Sequence, residues 1–420
     1  MNLFSDYRPR LMDSELSRAL SVMGAVLIEG AKATGKTSSA ERLASSSVHL
    51  DTDTNQRELA EVAPQLLLAE PPPLLLDEWQ VVPEIWNHVR REVDARRLPG
   101  QFILTGSATP DDSNGIQRHS GAGRFARLRM RTMSLFESEH SSGEVSLAGL
   151  LDGELPTVRG DHLSLESLAS AIVTGGWPSL VRADEPEARL WLRGYVDTLT
   201  EVDINQVGPR RDPAGVRRLL TALGRHTAST MTMAKLAELA GGEDSLSSAT
   251  VKTYLDALDR LMIVEDLPAW TPSMQSATPL RRAPKRYLVD PSLAAFFSGS
   301  TTKGLLRQPA ALGALLESLV VRDLRAYSSP LGARLHHWRD NNANEVDVIL
   351  EFDDGRWGAF EVKLNPKAVD SAANGLLRFV EKVNTKIAGE PSFLGVITGS
   401  GFSHRRADGV AVIPIGTLGP

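Results

Sequence analysis

At 420 residues and 45.5 kDa, the chain is long enough for about two to four domains, with cores that need no disulfide or metal staple. Its composition, 42% hydrophobic and 23% charged with no cysteine, excludes a disordered or fibrous chain, thiol catalysis and thiolate zinc sites. A net charge of −6 argues against a wholesale nucleic-acid coat and leaves room for a local basic surface.

The opening stretch MNLFSDYRPRLMDSEL scatters charges among apolar residues and does not read as a signal peptide. No run approaches the roughly 20 apolar residues of a membrane span, so a soluble, cytoplasmic protein without a membrane partner is expected. There are 36 Arg against 10 Lys, with no lysine between Lys36 and Lys235. Each lysine that is kept therefore carries more weight.

Residues 20–135 alternate apolar runs with helical patterns, as α/β units do. Gly24–Glu29 reads as a buried strand and Thr37–Ala44 as a helix. Leu74–Leu76 and Phe102–Leu104 read as further strands, with an amphipathic helix around Glu84–Ala95. Between the first strand and its helix lies Gly30-Ala31-Lys32-Ala33-Thr34-Gly35-Lys36-Thr37, which fits G-x-x-x-x-G-K-[ST] at every fixed position. The loop backbone is expected to curl around phosphates at the positive end of the helix. Lys36 is expected to reach the β- and γ-phosphates, and the Thr37 hydroxyl to hold Mg²⁺.

The strand Leu74-Leu75-Leu76 ends in Asp77-Glu78. Asp77 suits the Mg²⁺ shell, and Glu78 suits polarisation of an attacking water. The next strand closes with Thr105-Gly106-Ser107, where Ser107 is preferred to Thr105 as a contact for the γ-phosphate or its water. A plain strand-to-turn serine is the competing reading. Further on, Arg127, Arg129 and Arg131 alternate with apolar residues as the basic outer face of a strand. Arg124, in a glycine-rich loop before that strand, is placed to reach a neighbouring subunit's phosphate.

Together these stretches resemble a bacterial and archaeal family of AAA-type ATPases. In that family the C-terminal region is a domain of unknown function with a restriction-endonuclease-like core. The resemblance covers nearly the whole chain. It rests on Gly30–Thr37, Leu76-Asp77-Glu78-Trp79-Gln80 with Val82-Pro83-Glu84, Leu104–Ser107 and Gly123-Arg124. It continues through Ser134-Leu135-Phe136-Glu137, Gly175-Gly176-Trp177-Pro178, Glu345-Val346-Asp347 and Glu361-Val362-Lys363. The chain departs from the family at Trp79, usually aliphatic, and at Lys32-Ala33-Thr34-Gly35, usually Arg-Gln-x-Gly. The resemblance implies ATP binding and hydrolysis in a ring or other homo-oligomer, and the role of Arg124 rests largely on it.

From 155 to 300 the pattern is mostly helical, with turn signals at Gly175–Pro178, Asp212-Pro213 and Gly241-Gly242. Residues 231–270 read as helix, turn, helix and short strand, a winged-helix order. This window holds Lys235, Lys252 and Arg260 against Glu238, Glu243, Asp244, Asp256, Asp259, Glu265 and Asp266, a net of −4. Binding to DNA depends mainly on neutralised phosphates, so a packing or protein-contact role is favoured.

The last 120 residues read as a helix, Leu312–Ala326, then strands at Leu335–Trp338, Glu345–Phe352, Gly358–Lys363, Phe393–Thr398 and Val410–Ile415. Glu361 and Lys363, two apart on a strand, share a face. If the hairpin register brings Asp347 beside them, with Glu317 joining from the helix, the set suits a second divalent metal, Mg²⁺ or Mn²⁺, and phosphodiester attack. That arrangement resembles the Asp…Glu-x-Lys core of restriction-endonuclease-like proteins. A surface ion pair on an inert docking domain is the competing reading. His336 and His337, adjacent on a strand, make a poor metal pair. His49 and His88 read as standing alone.

The expected architecture is α/β throughout. It comprises an AAA-type P-loop domain (1–155), a helical lid with a winged-helix-like middle (156–300) and an α/β restriction-endonuclease-like domain (301–420). The expected activity is Mg²⁺-dependent ATP hydrolysis that repositions the C-terminal domain on a DNA, RNA or protein partner. The alternatives are an ATP-dependent metal nuclease, conceivably in defence, and an ATP-gated regulatory protein with little turnover. A small-molecule kinase is weaker, because no second substrate motif is present.

Overall fold

Apolar runs punctuated by turn residues become the central strands of a parallel sheet. The computed structural model describes residues 7–109, 120–160, 162–241, 246–271, 283–340, 342 and 344–420. Gly242, Glu243 and Asp244, which enter the turn signal and the charge balance of the middle region, lie outside these. The chain divides into two compact units. One comprises Met1–Arg131, Thr198–Arg211 and Tyr254–Ile263; the other comprises Thr132–Asp197, Asp212–Thr253 and Val264–Pro420.

Among the described residues, the first unit holds a five-stranded sheet. Its strands are β1 (Ala25–Glu29), β2 (Ser46–His49), β3 (Leu74–Asp77), β4 (Phe102–Gly106) and β5 (Phe125–Arg129), in the order β2-β3-β4-β1-β5. All neighbours run parallel. β3 and β4 are buried along their whole length, as central strands covered on both faces must be. Side chains alternate between two cores. Ala25 and Leu27 join Trp86, Val89 and Phe102, while Val26 and Ile28 join Leu16, Leu75 and Ile103. The helices are α1 (Met12–Val22), α2 (Lys36–Glu41), α3 (Thr54–Val62), α4 (Pro64–Leu67) and α5 (Ile85–Arg96). Trp86 of α5 stacks on Phe125 of β5, ring centroids 3.9 Å apart. Arg127 lies over Trp86 and pairs with Glu29.

The sequence pattern keeps residues up to 155 with this block, yet Thr132 onward groups with the second unit. Buried charge holds it there. Arg322 pairs with Asp290 at 3.1 Å and with Asp323 at 2.7 Å. Asp290 also accepts from the Thr132 hydroxyl and the Gly176 N–H, and Asp323 accepts from the Leu135 N–H. A Cβ on Gly176 would lie 2.0 Å from the Met133 carbonyl, so only glycine permits this approach. Two of the family-like stretches, Ser134–Glu137 and Gly175–Pro178, thus meet at one buried ion cluster.

Beyond this junction follow β6 (Val145–Ser146), α6 (Leu147–Leu151), α7 (Leu165–Thr174), α8 (Glu185–Glu201), α9 (Pro213–Arg225) and β7 (Ser229–Thr230). Then come α10 (Met233–Ala240), α11 (Ser248–Arg260), β8 (Val264–Leu267), β9 (Lys285–Leu288), α12 (Pro291–Ser298) and α13 (Thr302–Arg307). β7, β9 and β8 form an antiparallel sheet in that order. The C-terminal part starts with α14 (Pro309–Ser328), then β10 (Ala333–Arg339), β11 (Glu345–Phe352) and β12 (Trp357–Lys363). α15 (Val369–Lys382), α16 (Thr385–Ala388), β13 (Phe393–Thr398), β14 (His404–Arg405), β15 (Ala411–Pro414) and β16 (Leu418–Gly419) complete it. The sheet order is β10-β11-β12-β13-β15-β14, antiparallel from β10 to β12 and parallel from β12 to β15. Trp357, Phe379 and Val396 centre the core that α15 closes. No helix among the described residues is long and apolar enough to cross a membrane.

Candidate functional site

The strand-to-helix turn after β1 builds the first site. Ala33 and Gly35 take positive φ, which curls the loop before α2 begins. Gly30 permits close packing, since a Cβ there would lie 2.2 Å from the Met130 carbonyl. Ala31 and Thr34 are buried, and the Thr34 hydroxyl donates back to the Ala31 carbonyl at 2.9 Å. Lys36 is also buried, and its Nζ donates to the carbonyls of Gly30 (2.9 Å) and Ala31 (3.0 Å). Burial pushes its ammonium down to about 8 against the pull of Glu78 and Asp77. This is a cation held inside a loop whose own carbonyls supply the contacts, the arrangement expected where an anion is to be received. Lys32 extends to Asp203 instead, at 2.7 Å.

The carboxylates stand at the ends of β3 and β4. Thr37 donates to Asp77 at 2.8 Å, and Thr105 donates to the same carboxylate. The Thr105 hydroxyl also accepts the Glu78 N–H at 3.1 Å, so one side chain joins both acids. Glu78 has φ 51° and is bonded by Ser107 at 2.7 Å and by Gln80. Thr105 thus contacts both acidic residues, and Ser107 bonds the Glu78 carboxylate alone. His49 does not stand alone, because its Nδ1 lies 3.3 Å from Asp77. A histidine closing the strand beside an acid-tipped strand was the available signal. Thr37 and Asp77 fit a divalent ion at the phosphates: they present a hydroxyl and a buried carboxylate side by side. Arg124 lies at the surface, paired with Asp94 at 2.8 Å.

If Lys36 receives the phosphates, binding needs its ammonium charged, and burial in the free chain pushes that group down to about 8. Affinity is thus expected to be full below about pH 8 and to fall by up to about tenfold per pH unit above it. Titration with a fluorescent ATP analogue between pH 7.5 and 9.5 reads this; a flat profile contradicts the assignment.

The second cluster lies in the C-terminal part. β11 pairs with β12 so that Val348 faces Phe360, which carries Asp347 to Glu361 and Lys363. Lys363 Nζ is 2.5 Å from Glu361 and 3.6 Å from Asp347, and Asp347 also accepts the Val362 N–H at 2.9 Å. Glu317 of α14 arrives too, but its contact is Lys285 of β9. The Lys285 ammonium donates to Glu317 at 2.8 Å and to Asp347 at 3.1 Å, and Tyr287 donates to Glu317 at 2.7 Å.

Burial works to raise Asp347, but Lys285 and Lys363 outweigh it and hold it below the usual carboxylate range. Burial, then the Asp347 charge, pushes Glu317 up to about 7 and Glu361 up to about 8. The second divalent metal expected from the sequence does not fit these residues. Among the described residues, no three His, Cys, Asp or Glu side chains form a metal-holding group. Lys285, overlooked in the sequence, stands between the carboxylates. Burial pushes His336 down to about 4, so its imidazole is neutral at neutral pH.

Residues 23–139 match the family described as an AAA domain. Over those residues the N-terminal block, with its phosphate-loop motif, is similar to AAA domains. Residues 165–304 and 312–418 match two domains of unknown function, DUF8612 and DUF4143. The chain is 29% identical over 353 residues to an uncharacterised protein of Mycobacterium tuberculosis, covering 83% of this chain and 72% of that one. It is 23% identical over 344 residues to an uncharacterised protein of Haemophilus influenzae, covering 81% and 75%. A Walker-type ATPase of Pyrococcus abyssi aligns with a TM-score of 0.41 at 14% identity, over 70% of this chain and 99% of that one.

Proposed function

We propose that the chain is a cytoplasmic, oligomeric, Mg²⁺-dependent ATPase whose nucleotide cycle repositions the C-terminal domain on a nucleic-acid or protein partner. The observation that carries the ATPase reading is the buried Lys36 inside the phosphate loop, beside the Thr37–Asp77 pair and Glu78. Lys36 binds the β- and γ-phosphates, and Glu78, oriented by Ser107 and Gln80, takes a proton from the attacking water. A magnesium ion held by Thr37 and Asp77 would offset charge on the phosphate oxygens. Thr105 keeps both acids in register. The repositioning half is supported by the order α14-β10-β11-β12-α15-β13, which resembles a nuclease core. The deciding experiment measures ATP turnover against a panel of DNAs and RNAs while scoring strand cleavage in the same tubes. Stimulated turnover without cleavage supports the proposal. Bound nucleotide without turnover favours a regulatory protein, and cleavage lost in Glu361→Ala favours a nuclease.

Shared sites between subunits make a further expectation. Arg124→Ala should lower turnover with little loss of ATP binding, because the residue acts on a neighbour's phosphate. Mixing it with Glu78→Gln should recover part of the activity, since some interfaces then pair an intact Glu78 with an intact Arg124. Turnover that stays constant on dilution to monomer contradicts a shared site.

A further inference from the structure

We infer that Lys285 is the built-in cation of the C-terminal carboxylate cluster and keeps divalent metal out of it. The inference is independent of the ATPase reading, since it concerns residues of β9, α14, β11 and β12 alone. Its ammonium reaches Glu317 and Asp347 at 2.8 and 3.1 Å, touching one oxygen of each. A divalent ion held by these carboxylates takes their oxygens at about 2.0–2.6 Å, in the same small space as that ammonium. It would have to share their centre with a fixed positive charge. Lys363 adds a second ammonium, 2.5 Å from Glu361 and 3.6 Å from Asp347. Three carboxylates thus face two lysines, and the charge that a metal would supply is already present.

Lys285 is also fixed in place by backbone and side-chain bonds. β9 pairs with β8, where Lys285 faces Leu267. The chain just after β8 pairs with β10: the Trp270 N–H donates to the His337 carbonyl and the His337 N–H to the Pro268 carbonyl. Arg325 of α14 pairs with Glu265 of β8 at 2.5 Å. Tyr287, two residues along β9, bonds Glu317 at 2.7 Å. β8 and β9 are therefore tied to both the helix and the sheet that supply the carboxylates. Swinging the ammonium aside would break its own bonds to Glu317 and Asp347, and moving the strand that carries it would break the others as well.

The test uses the full chain carrying Asp77→Asn, to weaken metal binding at the phosphate loop, with no nucleotide added. Free Mn²⁺ is followed by its electron paramagnetic resonance signal. No Mn²⁺ site that depends on Asp347 or Glu361 is expected in this protein. Adding Lys285→Met should create one site per chain, which Asp347→Asn then deletes. A Mn²⁺ site in the Asp77→Asn chain that Glu361→Gln removes overturns the inference, and so does a folded Lys285→Met chain that gains none. If Lys285→Met fails to fold, the Asp77→Asn titration alone decides whether the cluster takes metal. Circular dichroism checks the fold of each variant.

Discussion

Lys36→Ala should remove measurable ATP binding, whereas Glu78→Gln should keep binding and lower turnover by about 10²–10⁴-fold. The two residues divide the work by position. Lys36 is buried in the loop, and each charged hydrogen bond that it gives a phosphate is worth about 1.5–3 kcal/mol. Removing two such bonds at once lowers affinity by about 10²–10⁴-fold. Glu78 lies just past β3, held by Ser107 and Gln80, and in the proposed mechanism it polarises water. Glutamine keeps its shape and loses its basicity. Equilibrium binding and steady-state turnover on the same preparations separate the two effects. Wild-type turnover in Glu78→Gln would show that another group serves as the base.

The second large effect is on stability. Arg322→Met should destabilise the second unit by about 3–5 kcal/mol, because it leaves Asp290 and Asp323 buried without their cation. The two aspartates differ. Burial would raise Asp290, but Arg322 and the bonds from Ser292 and Thr132 hold it below its ordinary value. Burial dominates at Asp323, which stays raised despite Arg322. Asp290 therefore contributes stability that is present above its ordinary value and lost as pH falls through the lower native one. Chemical denaturation followed by tryptophan fluorescence measures the loss. Asp290→Asn with Asp323→Asn in the Arg322→Met background should recover part of it. No recovery would mean that the cost is lost packing and not uncompensated charge.

The phosphate loop was legible because its chemistry is contiguous: eight residues in a row, between an apolar strand and a helix. Asp77 and Glu78 were legible because they end an apolar run. Ser107 was preferred to Thr105, but no pattern showed that Thr105, on β4, bonds Asp77 while Ser107, just past the strand, bonds Glu78. β2 was missed because only Val48 in it is buried, which leaves no alternation to read. His49 at its tip was missed with it. Arg322 and Asp323 sit in an apolar helix and resemble a solvated stripe until Asp290 is brought to them. Lys285 lies 32 residues from Glu317 and 62 from Asp347 in sequence. Only the folded sheets bring it between them.

Arg10 precedes α1 and lies outside the matched residues 23–139. One guanidinium nitrogen donates to the Thr34 carbonyl and the other to the Arg131 carbonyl, each at 2.7 Å. It therefore spans from the middle of the loop to the chain just past β5. A fragment started at residue 23 would keep every motif side chain and lose this brace. Each loop residue then freed would have to be ordered again by the nucleotide, at roughly 1–2 kcal/mol per residue. The smallest piece that carries the phosphate motif is therefore a floppier receptor than the same motif in the whole chain.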